Sequence, residues 1–131
     1  MKKTGMLNKE ISSVVAGMGH TDTLVIGDAG LPIPKDVQRI DLALKKDVPG
    51  FIETVETVVQ ELCVEKVIVA KEMKEVSPDV LLELERIFPD TSFEFVSHDE
   101  LKKLSREASA IIRTGEFTSY ANVILGSGVD F

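Results

Sequence analysis

Two hydrophobic periods alternate along this chain, and that alternation restricts its fold more than any other feature. Short apolar runs recur: "TLVIG" (23–27), "KVIVA" (66–70), "FEFV" (93–96), "AIIR" (110–113) and "NVILG" (122–126). Each is too short for a stable helix and reads as a buried strand. Helical patterns lie between them. Asn8 can cap a helix through "KEISSVVAGM", where Leu7, Ile11, Val14, Val15 and Met18 fall near helical spacing, and Gly17 and Gly19 end it. "FIETVETVVQELC" (51–63) is amphipathic. Ser77 followed by Pro78 starts a helix that ends near Pro89. "SHDE" (97–100) has the form of a capping box, and its helix runs to about Ala108. "VQRIDLAL" (37–44) is a weaker strand. The pattern predicts an α/β fold: a single domain over 1–131, with a largely parallel sheet flanked by helices in a Rossmann-like three-layer architecture. It carries no information on strand order.

Composition narrows the function classes. A length of 131 residues fits one domain with a real core. The net charge of −7 is spread along the chain, whereas nucleic acid and anionic membranes call for clustered Lys and Arg. No run approaches the ~18 apolar residues of a membrane span. The basic start "MKKTGMLNKE" has no apolar stretch behind it, so it does not read as a signal peptide. The one cysteine, Cys63, sits among apolar residues and is expected to be a buried thiol; a reducing cytoplasm is the natural setting.

In open α/β sheets, ligands collect at the carboxyl ends of strands. Asp28 follows "TLVIG", Ser97 and His98 follow "FEFV", and Thr114, Gly115 and Glu116 follow "AIIR". Three strand ends therefore carry polar groups able to converge. Each residue also has a plain structural reading. Asp28 suits an Asx turn before Gly30 and Pro32. His98 suits an exposed first helical position. Tyr120 suits a core or interface aromatic, Asn122 a turn, and His20 the end of a helix. No Gly-x-Gly-x-x-Gly, P-loop or G-x-S-x-G elbow is present, and two distant histidines make no metal set. What remains is acid–base chemistry by histidine, with Asp, Asn and Tyr as hydrogen-bonding groups. That set suits a small polyhydroxylated ligand.

Three motifs in order, "MGHTD" (18–22), "DAGLPIP" (28–34) and "RTGEFTSYANVIL" (113–125), closely resemble the D-ribose pyranase family (RbsD), related to the L-fucose mutarotases (FucU). The resemblance extends from "MKKTGMLN" to "GVDF". It implies an isomerase that interconverts the β-pyranose and β-furanose forms of D-ribose and supplies furanose for ribose catabolism, with no metal or organic cofactor. Carried over, it implies that His20 is the catalytic acid. Asp28 and His98 are implied as ribose ligands. Tyr120, Ala121 and Asn122 are implied as the other sugar contacts, Ala121 through its backbone or packing. Family members form ring-like homodecamers with sites at subunit interfaces. The fucose branch typically has a bulkier residue where this chain has Gly30, which favours ribose. A mutarotase for fucose or another sugar, and a cytosolic ribose-binding module without catalysis, are the competing readings.

One geometric expectation follows from the strand itself. A strand rises ~3.3 Å per residue. If most of residues 21–27 are extended, His20 and Asp28 lie near opposite ends. Either the "GHTD" turn folds the histidine back, or the site is shared between subunits.

Overall fold

The computed structural model describes residues Met1–Phe131. In chain order the elements are α1 (Lys9–Gly17), β1 (Thr23–Gly27), β2 (Arg39–Asp41), α2 (Phe51–Val59), β3 (Val64–Ala70), α3 (Met73–Val76), α4 (Pro78–Ile87), β4 (Ser92–Val96), α5 (His98–Leu104), β5 (Ala110–Arg113) and β6 (Val123–Ser127). The six strands form one sheet in the order β2-β5-β1-β6-β3-β4. Neighbours β2/β5, β5/β1 and β3/β4 are parallel. Strand β6 is antiparallel to both β1 and β3. The expected largely parallel sheet is present, with one reversed strand in its interior.

Alternation along each strand builds two apolar layers. Leu24 and Ile26 of β1, Val67 and Val69 of β3, Ala110 and Ile112 of β5, and Val123 and Leu125 of β6 face one core. Ile11 of α1, Phe51, Val55 and Val58 of α2, and Leu81 and Leu84 of α4 join them there. The residues between, Val25, Ile68, Ala70, Ile111 and Ile124, face a smaller core with Leu101 of α5 and the loop residues Leu31 and Val37. The sheet is thus the middle of three layers. Strands buried on both faces explain why these segments read as continuous apolar runs.

Local signals act as the sequence suggests at most helix ends. Asn8 accepts from the Ile11 N–H, and Ser97 accepts from the Glu100 N–H. The differences are informative. The weak strand at 37–44 shrinks to three residues, because β2 is a sheet edge with only β5 beside it. Helix α2 stops at Val59, short of Cys63. Cys63 is exposed, against expectation. It lies between the turn that ends α2 and the start of β3. The short α3 carries no clear sequence signal. No helix is long and apolar enough to cross a membrane.

Leu125 is fully buried in the larger core, between β1 and β3. Leu125→Ala should lower unfolding stability by about 2–5 kcal/mol, the range for leucine truncation in a packed core. Urea denaturation, with an unchanged slope, is the measurement.

Candidate active site

The reversed strand brings the site together. Because β6 runs against its neighbours, its start lies beside the carboxyl ends of β1 and β3. Asn122, immediately before β6, therefore meets Asp28, immediately after β1. The Asp28 N–H donates to Asn122 Oδ1 at 2.9 Å, and Asn122 Nδ2 donates to Asp28 Oδ2 at 2.9 Å. Asp28 Oδ1 accepts from the Gly30 N–H at 2.9 Å, so the Asx turn is also real. One carboxylate is held from both sides. Asn122 is fully buried. Its amide needs a glycine beneath it: a Cβ at Gly27 would lie 2.8 Å from Asn122 Oδ1 and 2.6 Å from Leu31 Cδ2.

Asp28, Gly30, His98, Arg113, Glu116 and Tyr120 help line an open cavity of about 540 Å³ at this end of the strands. Tyr120 has φ +62°, the left-handed region that a bulky side chain adopts only when its surroundings impose it. Its ring meets the His98 ring edge-on, with centroids 5.1 Å apart and planes at 83°. His98 Nδ1 is buried without a partner within the chain. The His98 backbone N–H donates to the Glu72 carboxylate at 3.1 and 3.3 Å. That carboxyl lies below its usual range, first through its own backbone N–H, with the His98 N–H adding and burial opposing.

The cavity floor is braced by two charged groups. Arg113 Nε donates to the Ala29 carbonyl at 3.0 Å, and its Nη1 pairs with Asp41 at 3.1 Å. Glu116 accepts from the Phe51 N–H at the start of α2 and from the Thr118 hydroxyl. Glu116 was visible in the sequence as a strand-end residue. Arg113 and Glu72 carry no such signal, although Arg113 is the last residue of one predicted strand and Glu72 lies two residues past another.

Three of the six residues implied by the sequence, Asp28, His98 and Tyr120, line the cavity together. Ala121 and Asn122 are buried behind it, Ala121 within the larger core. His20 is elsewhere. It precedes β1, at the opposite end of the strands, where its Nε2 meets Glu65 of β3. Strand β1, with five residues, separates the two by about 17 Å at ~3.3 Å per residue. The turn does not fold His20 back to the cavity.

Residues 1–130 match the RbsD / FucU transport protein family. The chain belongs to the RbsD/FucU family. Within it, a D-ribose pyranase of Clostridium perfringens (strain ATCC 13124) is 57% identical over 131 residues, covering 100% of both chains. A D-ribose pyranase of Coprothermobacter proteolyticus is 53% identical over the same full lengths. The solved structure of Bacillus subtilis RbsD complexed with D-ribose matches with a TM-score of 0.97 and 48% identity, covering 100% of each chain. A fucose mutarotase of Streptococcus pneumoniae in complex with L-fucose has the same fold, with a TM-score of 0.79 and 19% identity over 95% of each chain.

Asn122→Ala leaves the Asp28 N–H without its acceptor. The expected loss is about 1–3 kcal/mol of stability, the cost of an unpaired buried polar group, and chemical denaturation reads it. Glu72 gives a pH prediction. A carboxyl with a depressed folded pKa stabilises fully above its unfolded value and loses that contribution as pH falls through the folded value. Hydrogen-exchange protection at the His98 amide should therefore be complete at neutral pH, fall on acidification through that range, and be reduced at neutral pH in Glu72→Gln.

Proposed function

We propose that this chain is a D-ribose pyranase: an isomerase that opens the β-pyranose ring of D-ribose and closes it as β-furanose. The observation that carries the reading is the full-length match to the ribose-complexed RbsD, together with a cavity lined by hydroxyl-binding groups. The fucose-complexed relative shares the fold at far lower identity, which favours ribose over fucose.

The chemistry asks for little beyond positioned proton transfer. In ring opening the bond between C1 and the ring oxygen breaks, the anomeric hydroxyl loses a proton, and the ring oxygen gains one. Closure through the 4-hydroxyl reverses both movements. Asp28 accepts from sugar hydroxyls. His98 and Tyr120 fix the sugar's place in the cavity, and Asn122 holds Asp28 to its task. Ala121 contributes by packing in the larger core against which Tyr120 rests. His20 serves as the acid. No metal and no organic cofactor enter these steps.

His20 and Asp28 of one chain are too far apart for one pentose to touch both. The reading therefore places His20 of a neighbouring copy at each cavity, in a homodecamer with interfacial sites. The protein works in the cytoplasm, supplying furanose for ribose catabolism.

NMR magnetisation exchange between the β-pyranose and β-furanose anomeric signals tests the reading. The protein should speed exchange over buffer, and His20→Ala should lose roughly 10²–10⁴-fold of that rate, the usual scale of positioned proton transfer. Binding of ribose with exchange unchanged from buffer would replace the enzyme with a binding module.

A further inference from the structure

The end of the sheet opposite the cavity carries a second built arrangement. His20 Nε2 lies 2.9 Å from Glu65 Oε1 and 3.0 Å from Oε2, so both oxygens face one ring nitrogen. The backbone around the ring is closed by four hydrogen bonds. The Gly19 N–H donates to Asp22 Oδ2 at 2.8 Å. The Asp22 N–H donates to the Gly19 carbonyl, the Thr21 N–H to the Ser127 carbonyl, and the Ser127 N–H to the Asp22 carbonyl. Thr21 is held at φ +74°, a conformation that a β-branched residue adopts only under such constraint. The carboxylate is seated too. A Cβ at Gly128 would lie 3.1 Å from Glu65 Cβ and 3.4 Å from Glu65 Oε2, so a glycine there leaves the side chain its room.

An ionised carboxylate only accepts hydrogen bonds. The nitrogen facing it therefore carries the hydrogen, and the neutral ring is left with Nδ1 as its bare nitrogen. We infer that Glu65 is a positioning residue that fixes His20 as the Nε2–H tautomer, and that His20 Nδ1 is the atom that moves the proton in ribose ring opening. The inference rests on the reading of His20 as the acid of the pyranase. When the ring is protonated, Nδ1–H gives its proton to the ring oxygen as the bond to C1 breaks, and the anomeric proton passes to water. On closure the 4-hydroxyl proton returns to Nδ1, while the carbonyl oxygen regains a proton from the hydronium. Nε2–H and the Glu65 carboxylate keep their protonation states throughout.

The chain has two histidines, so selective ¹⁵N-histidine labelling gives a simple spectrum, and His20→Gln assigns it. In the full-length protein at a pH where the ring is neutral, His20 should show a protonated Nε2 and a bare Nδ1. Glu65→Gln, whose amide can donate or accept, should move both nitrogens toward tautomer-averaged shifts. It should lower kcat about 10- to 100-fold, the scale for losing the orienting partner of a metal-bound imidazole, with KM nearly unchanged. A protonated Nδ1 in the wild-type neutral ring would overturn the assignment. So would a Glu65→Gln variant with wild-type kcat while His20→Ala is inactive; this result would leave the role of His20 standing. Full activity in His20→Ala would instead remove the reading on which the inference rests.

Discussion

The ladder that β6 makes with β1 and β3 is the interaction on which the rest of the molecule depends. It is a two-sided antiparallel ladder inside an otherwise parallel sheet. Its start delivers Tyr120 and Asn122 to the carboxyl ends of the parallel strands. Its end delivers Ser127 to the turn that carries His20. One five-residue strand thus supports both chemically equipped ends. A parallel β6 would have placed the "SYAN" segment at the other end, away from Asp28.

Both ends also hold a residue in an unfavourable backbone state. Tyr120 and Thr21 lie at positive φ, and neither is a glycine. Such residues cost of order 1–3 kcal/mol each and persist only where the surroundings over-determine them. The surroundings differ. The Asn122 N–H donates to the Tyr120 carbonyl at 2.7 Å, next to the buried Asp28–Asn122 pair. Thr21 is pinned by Ser127 and the Gly19–Asp22 turn. In each case the residue at positive φ carries or adjoins an aromatic ring, Tyr120 its own at one end of the strands and Thr21 that of His20 at the other.

Much of this was legible in the sequence, for definite reasons. Strands buried on both faces leave unbroken apolar runs, and Asn8 and Ser97 announce their helices by chemistry that acts over three residues. Asp28 and His98 could be singled out because polar groups at strand ends face a common rim, whereas Tyr120 stood out only through the motif resemblance. The direction of β6 was not legible, since "NVILG" is apolar on both faces whichever way it runs. Glu65 and Glu72 were invisible for another reason. A glutamate on a strand or in a loop looks like ordinary surface charge until its partner is placed, and the partners lie 45 and 26 positions away. Cys63 misled because its apolar neighbours in sequence point into the sheet while it does not.

The missing side chain at Gly27 has a consequence for how this protein can change. The Asn122 amide occupies the volume that a Cβ at position 27 would claim, and its two hydrogen bonds to Asp28 need that approach. Positions 27, 31 and 122 therefore behave as a single heritable unit. A larger residue at 27 is tolerable only after both Leu31 and Asn122 have given way, and a shrunken 122 leaves the Asp28 carboxylate held by the Gly30 N–H alone. Each order of substitution passes through a damaged intermediate, so this corner of the sheet is entrenched by geometry, independently of how well any particular sugar binds.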